Sequence, residues 1–558
     1  MKQRRLLCVI LSLCLLLTLP AGCGSAPAAE TGGPSSTAPA APAGESAETP
    51  PAPPEGSGQP QGTPPAGQPG GMPPEGQPGG TPPEGQPGGP GGTPPEGQPG
   101  GPGGTPPEGQ PGGPGGTPPE GQPGGPGGTP PEGQPGGPGG TPPEGQPGGP
   151  GGSADVEYQA AEEITEASAR KDERYASSSA DENALLVTAP GKVELTNPKV
   201  TKSGGSQGGD ACSFYGLNAA VLVKDGAELS ITGGSVSSEA EGANGVFCYG
   251  GNGGRNGAQG DGTTLTIRNT VIRTAGGGSG GIMTTGGGVT YAYDLDVETQ
   301  GRSSAAIRTD RGGGQVYVEG GRYLSKGLGS PAIYSTAEVH AANAALISEC
   351  AEGLCIEGKN SIELTECELI ANNTQRNGNA RFLDSVMLYQ SMSGDAASGS
   401  SAFTMDGGSL TSKSGHVFHV TNTSAVITLR GVEIVNEDPE NVLLSVCDDG
   451  WSGAGHAAAL KACAQQLTGA VKVGGNASLS LELTEGSAFT GSIDGEITDA
   501  AGASVSTQTG AVSVTLDADS TWTLSADSHI TEFHGSAANV IANGHTLYLN
   551  GEPLTGTR

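Results

Sequence analysis

The sequence predicts an all-β protein, a right-handed parallel β-helix carried on a disordered Pro/Gly-rich stalk, and three observations lead there. One phrase recurs from about Gly280 to Ile427: small residues, a short apolar strand, a polar turn, another strand. Its copies include Gly-Gly-Ile-Met-Thr-Thr at 280–285, Ala-Ala-Ile-Arg-Thr-Asp at 305–310 and Pro-Ala-Ile-Tyr-Ser-Thr at 331–336. The apolar markers Ile282, Ile307, Ile333, Ile356, Leu388 and Val420 stand 25, 26, 23, 32 and 32 residues apart. A repeat of that length is a solenoid coil, which cannot bury its apolar face alone and must stack on its neighbours. Between markers lie pieces with period-two alternation, such as Gln315-Val-Tyr-Val-Glu, Ala337-Glu-Val-His and Ser361-Ile-Glu-Leu-Thr, and no amphipathic helix pattern. Ahead of the coils, Gly24 to Gly152 offers almost no apolar side chain from which to build a core.

In chain order, residues 1–22 carry Lys2, Arg4 and Arg5 and then an apolar run from Leu6 to Leu19, the pattern of an export signal that is too short to remain as a membrane span. Leu19-Pro-Ala-Gly-Cys23 is similar to a bacterial lipobox, which makes Cys23 the expected lipidation site. An acylated cysteine gains about 0.8 kcal/mol per buried methylene, so multiple chains anchor firmly. The expected location is therefore the extracellular face of the cell membrane, reached through the lipid alone.

Residues 23–152 contain the unit Thr-Pro-Pro-Glu-Gly-Gln-Pro-Gly-Gly-Pro-Gly-Gly, which begins at Thr81 and restarts at Thr93, Thr105, Thr117, Thr129 and Thr141. Its Pro-Pro-Glu triplet lacks the axial glycine that a collagen triple helix needs, so a disordered, partly polyproline spacer is expected. At about 3.1 Å per residue it reaches roughly 400 Å when extended, and about 60–70 Å as a flexible coil.

Residues 153–182 are charged and turn-rich and are expected to form a cap, as a short helix or a polar turn, over the first coil. The main β-helix is placed at 183–446, with a long glycine turn at 250–262. Residues 447–470 are expected to interrupt it with a loop and a short helix over Ala457 to Leu467. Residues 471–558 return to strict alternation and are expected to be narrower terminal coils.

Asn183-Ala-Leu-Leu-Val, Ser213-Phe-Tyr-Gly-Leu-Asn-Ala-Ala-Val-Leu, Gly278-Ser-Gly-Gly-Ile-Met-Thr-Thr-Gly-Gly-Gly, Arg302-Ser-Ser-Ala-Ala-Ile-Arg-Thr-Asp-Arg-Gly-Gly-Gly and Gln390-Ser-Met-Ser-Gly-Asp resemble a family of exported bacterial right-handed parallel β-helix surface proteins, adhesin-like or pectate-lyase-like in fold and without an assigned role. The resemblance covers about Ser177 to Gly551 and implies fold rather than activity.

The balance of 26 basic against 58 acidic residues, net −32, excludes a nucleic-acid partner, which needs a basic footprint. Seven cysteines remain beyond Cys23: Cys212, Cys248, Cys350, Cys355, Cys367, Cys447 and Cys463. Export permits disulfides, with Cys350 pairing to Cys367 or Cys355 as the options, and buried free thiols on stacked positions are the plainer expectation.

Residues at one offset from the marker form a line along the solenoid, because neighbouring rungs stand about 4.8 Å apart. With the marker pointing inward, Arg308, Asp310, Tyr334, Glu357, Lys359 and Tyr389 share an outward patch. Phenol rings flanked by both charges suit a sugar chain, while the plainer alternative is a solvated face whose groups pair across rungs. Catalytic residues are not expected. The weak candidates are Arg308, Asp310 and Arg311, on the pattern of polysaccharide lyases of this fold. No clustered carboxylate set supplies the six to eight oxygens of a calcium site, although calcium stays open as a cofactor. Asp448 with Asp449, Ser279 within Gly277-Gly-Ser-Gly-Gly, and His416 with His419 are each weaker, the histidines because three residues on a strand separates their faces. The expectation is a monomeric surface protein that adheres to or binds a polysaccharide or cell-surface glycan. A lyase-type enzyme and a non-binding structural protein are the alternatives.

Overall fold

A computed structural model describes residues 156–558 apart from 207, 254–258, 392 and 452–454. The expected signal peptide, Cys23 and the stalk lie outside the described residues. Parallel strands stack into three long sheets, and each coil up to Asn436 contributes one strand to each in turn. Sheet 1 has 13 strands, from Glu163–Ile164 to Ile493–Asp494; sheet 2 has 14, from Ser168–Lys171 to Glu532–His534; sheet 3 has 10, from Arg174–Ser177 to Glu433–Asn436. This is the parallel β-helix that the repeat predicts.

The interior is built from ladders of like residues. In sheet 1 a single row runs Leu185, Val221, Val246, Ile282, Ile307, Ile333, Leu354, Val386, Phe418, Leu444, Val471 and Ile493, each paired with the next and all in the main core. Each such aliphatic contributes roughly 1.5–3 kcal/mol by leaving water. β-Branched side chains fit these stacked, pleated positions, so the repeat is rich in Ile and Val.

The row corrects the sequence register at one place. Ile333 pairs with Leu354, and Ile356 pairs with Ser335 below and Leu388 above. The marker therefore slips by two residues between those coils. Two is the side-chain period of a strand, so the predicted faces survive and the predicted neighbours do not.

The corner between sheets 2 and 3 is almost invariant. Asn197 and Pro198, Asn269 and Thr270, Asp294 and Leu295, Gly320 and Gly321, and Asn343 and Ala344 each form the entire connection in their coil. The first residue of each is left-handed, with φ between 50° and 68° in these coils, which is why Asn, Asp and Gly occupy it. The second turns inward, and Leu295 and Ala344 are buried there. At Gly321 a Cβ would stand 2.5 Å from the Leu295 carbonyl oxygen of the coil below, so only glycine fits. Cys367 holds the same inward corner position, its Sγ 3.4 Å from the Ala341 carbonyl.

Length variation falls at the two corners that border sheet 1. Before its strands come 203–220 and 372–383; after them come 250–263, 390–399 and 447–455. Described residues of these segments, among them Phe214, Phe382, Asp395 and Trp451, pack on side chains of the outer side of sheet 1 or of the turn that follows its strands.

Three further expectations change. Residues 159–177 form short strands of a first coil rather than a helix or a polar cap, because Ile164, Tyr175 and Ser177 alternate inward against the second coil. The expected helix at 457–467 is replaced by the strand His456–Cys463, whose burial alternates and whose ladders to Ser424–Arg430 and Ala477–Thr484 override the helix propensity of its alanines. The terminal region stays in the solenoid, but a four-stranded sheet of Gln466–Thr468, Ala488–Gly491, Thr521–Leu524 and Val540–Ile541 takes the place of sheet 3. All seven described cysteines are free thiols, five of them buried.

Candidate functional site

The outer row of sheet 1 runs Leu222, Phe247, Met283, Arg308, Tyr334, Cys355, Met387, His419, Ser445 and Lys472. Tyr334, Cys355, Met387 and Tyr389 pack with Ala305 and Trp451 in a cluster separate from the main core, so this face does point away from the interior as predicted. It is not open to solvent. Tyr334 is 3% exposed and Tyr389 1%, Asp310, Arg311 and Glu357 are buried, Arg308 is half-buried, and of the predicted patch only Lys359 is exposed. The expected solvent-facing patch is thus corrected to a seam beneath a roof. The reason is the set of corner segments just described.

Within the seam the polar groups satisfy each other. Tyr334 Oη donates to Glu357 Oε2 at 2.5 Å, Tyr389 Oη donates to the same oxygen at 3.2 Å, and the Ser391 hydroxyl donates to Oε1. Arg308 Nη2 reaches Asp310 Oδ2 at 2.7 Å. Arg311 leaves that pair and ties the sheet to the roof: its Nε lies 3.0 Å from Asp395 Oδ1, and its guanidinium stands 4.1 Å from the centre of the Phe214 ring on the short helix Asp210–Tyr215. Trp451, on the segment after the sheet 1 strand Val442–Val446, packs its ring 5.2 Å from that of Tyr389.

Burial dominates the electrostatics. It pushes Glu357 up to about 7 against the opposing hydrogen bonds from Ser391 and Tyr334. It pushes Asp310 up to about 6 although Arg308 pulls the other way, and Asp210 up to about 6 although Arg311 opposes it. The phenols of Tyr334 and Tyr389 move well upward through burial and then through the nearby Glu357 carboxylate. Perturbed groups mark functional sites and structural ion networks alike. Here every acceptor of Glu357 has a donor, as in a structural network.

Further along the same face is a second buried group that the sequence did not assemble. Val417 and Phe418, consecutive residues, both enter the main core, so the strand His416–Thr421 bends and its two histidines emerge on one side. Ser445 Oγ lies 2.7 Å from His416 Nδ1 and 2.6 Å from His419 Nδ1. This overturns the expectation that the two rings project to opposite faces. A hydroxyl has one proton, so one of the two rings presents N–H to it. His419 Nε2 stands 3.5 Å from Asp449 Oδ2, and Asp449 Oδ1 accepts the backbone N–H of Arg381. Asp384 and Glu352 lie nearby, both pushed up first by burial and then by neighbouring carboxylates. Among the described residues, Asp384 Oδ1, Asp449 Oδ2 and His419 Nε2 have no hydrogen-bond partner. Burial lowers His416 to about 3, so it stays neutral. Asp448 does not share the pocket of Asp449; it reaches Arg381 Nη1 at 3.2 Å from a more open position. Among the described residues no three His, Cys, Asp or Glu side chains are placed to hold a metal ion. Ser279, the formal nucleophile, donates its hydroxyl to the Ala240 carbonyl and receives the Ala243 N–H, one step of a buried serine ladder with Ser304 and Ser330.

Sheet 2 presents a different outer face. Its row Glu194, Ser230, Thr266, Tyr291, Tyr317, His340, Glu363, Thr404 and Thr428 is hydroxylated and charged except for three neighbouring rungs. There Tyr291 stacks on Tyr317 at 5.2 Å and 13°, and Tyr317 on His340 at 5.2 Å and 7°. His340 Nδ1 meets Glu363 Oε2 at 3.0 Å, and in the next row the Arg268 guanidinium lies 3.5 Å from the centre of the partly exposed Tyr293 ring. The rings face along the axis, so their partly exposed rims, with the phenol hydroxyls, form a flat strip beside Gln315 and Glu338, which pair at 3.0 Å. The signal was present in the sequence: Tyr317 and His340 each stand two residues after a polar residue and one after a valine, in Gln315-Val-Tyr and Glu338-Val-His.

No protein-family model matches the chain, and searches of the curated proteins and of the solved structures found no match either, so the statement that stands for it is architectural: it is a parallel β-helix.

Proposed function

We propose that this chain is a lipid-anchored protein of the extracellular membrane face, of the kind seen in exported bacterial β-helix surface proteins, and that it displays its solenoid to bind a polysaccharide or a cell-surface glycan. The observation that carries the reading is the strip of Tyr291, Tyr317 and His340, flanked by Tyr293 under Arg268, on an otherwise Ser/Thr-rich face. Only 4% of the chain is aromatic, yet three of its 11 tyrosines share two adjacent rungs of one outward face. Amphipathic rings with hydroxyl rims suit a ligand made of alternating C–H faces and hydroxyls. An export signal, an acylable Cys23 and a long Pro/Gly spacer support display away from a membrane. The buried seam of sheet 1 contributes stability to this display rather than contact.

The test is a glycan array and titration with the exported chain. Wild type binds a defined glycan without shortening it, and Tyr291→Ala with Tyr317→Ala weakens binding by ~1–3 kcal/mol, the scale of stacking losses on aromatic platforms. Full binding by the folded double variant removes the strip from the reading, and depolymerisation of the glycan replaces binding with catalysis.

A further inference from the structure

A cleft of about 420 Å³ opens beside the hairpin formed by the antiparallel strands Glu496–Thr498 and Ser504–Thr507, several rungs from the aromatic strip. Its polar wall is Asp448, Asn476, Thr507 and Gln508; its apolar wall is Cys447 and Val505, which pack with Phe382 and Ile497. The volume falls in the range of small-ligand sites and is too small for a folded partner.

We propose that this cleft is a binding site for a single neutral sugar unit, distinct from the strip on sheet 2. Four features select that chemistry. The amide groups of Asn476 and Gln508 are exposed and have no side-chain partner among the described residues, so each offers both a donor and an acceptor. The Asp448 carboxylate is 44% exposed and adds acceptors that bind vicinal hydroxyls. Among the described residues the cations near the cleft are paired, Arg381 with Asp448 at 3.2 Å and Asp499 at 3.3 Å and Lys472 with Asp494 at 2.8 Å, which favours a neutral ligand over an anion. The Cys447 and Val505 side takes the C–H face of a pyranose. Gly475 keeps the space open: a Cβ there would come 3.3 Å from Gln508 Cβ, and a longer side chain would occupy the cleft itself.

The experiment titrates the whole exported chain with glucose, galactose and N-acetylglucosamine, each alone, by saturation-transfer NMR. At least one sugar saturates. Asn476→Ala with Gln508→Ala weakens it roughly tenfold or more and melts with wild type because the altered side chains lie at the surface, and Gly475→Leu abolishes it. Tyr291→Ala with Tyr317→Ala leaves this binding unchanged, so the cleft and the sheet 2 strip stand or fall separately. No saturable binding of any of the three sugars, or equal affinity in the Asn476/Gln508 variant, overturns the assignment.

Discussion

The phenol of Tyr334 donates to the Glu357 carboxylate at 2.5 Å although the two residues are not ladder partners: Tyr334 pairs with Cys355, and Glu357 sits two residues further along the same strand. The hydrogen bond is diagonal across one rung step and wholly buried. Tyr334→Phe removes one of the three hydroxyl donors of a buried carboxylate and is expected to destabilise the fold by ~1–3 kcal/mol in urea unfolding. Glycan affinity stays at the wild-type value, and a selective loss of affinity without loss of stability would restore the seam as a contact surface.

Glu357 also gives the fold a pH dependence of known sign. Below about 4.5, its ordinary value, folded and unfolded chains both hold the proton and the group has no effect. From there to about 7 the unfolded chain has lost the proton and the folded chain keeps it, so stability falls as pH rises, by roughly 3 kcal/mol once pH exceeds 7. Glu357→Gln carries no such titration. The stability of the variant minus that of wild type should climb across pH 4.5 to 7 and level off above; a flat difference would show that Glu357 titrates normally.

Arg311 and Asp395 hold segment 390–399 against sheet 1 as a buried ion pair, with side chains 5% and 6% exposed. Arg311→Ala strands a buried carboxylate and an unpartnered Phe214 face, at an expected loss of ~3–5 kcal/mol. Arg311→Met with Asp395→Leu replaces both charges by apolar groups and should recover most of it. Limited proteolysis reports the same contrast, with cleavage at 390–399 in the single variant and resistance in the pair.

Among the described residues one oxygen of Asp384 has no hydrogen-bond partner, and burial first, then the Glu352 and Asp449 carboxylates, hold the group well above its ordinary value. Asp384→Asn removes the charge and keeps the shape, and a gain of about 1–2 kcal/mol is expected at pH 7.5. The gain shrinks as pH falls toward 3.8, the ordinary value of the group, and vanishes only below it, where the wild-type carboxyl carries its proton in both states. A destabilised variant at pH 7.5 would mean that the negative charge of Asp384 is needed where it is.

The fold was legible because its determinants are local and repeated: one inward row of β-branched residues, one corner that demands Asn or Gly. The faces were legible for the same reason, since even the slip at Ile356 preserved parity. Burial of the patch was not legible. What covers this face comes from Ser391 over Glu357, Trp451 beside Tyr334 and Tyr389, and Asp395 and Phe214 on Arg311, residues distant in sequence that carry no mark of their destination. The convergence of His416 and His419 was hidden by a bend at Val417 and Phe418 that strict alternation does not anticipate. The stack of Tyr291, Tyr317 and His340 was legible in principle, since it requires only that the second strand of each coil be aligned as the first was.

The two-residue corner between sheets 2 and 3 admits no extra residue without tearing the ladder on either side of it, whereas both corners of sheet 1 already absorb segments of very different length. Change by insertion or deletion is therefore channelled to one side of the solenoid. Descendants of such a chain can exchange what lies over sheet 1, segment by segment, while the flat exterior of sheet 2 is inherited in register; divergence and constancy are assigned to different walls by the geometry of a turn.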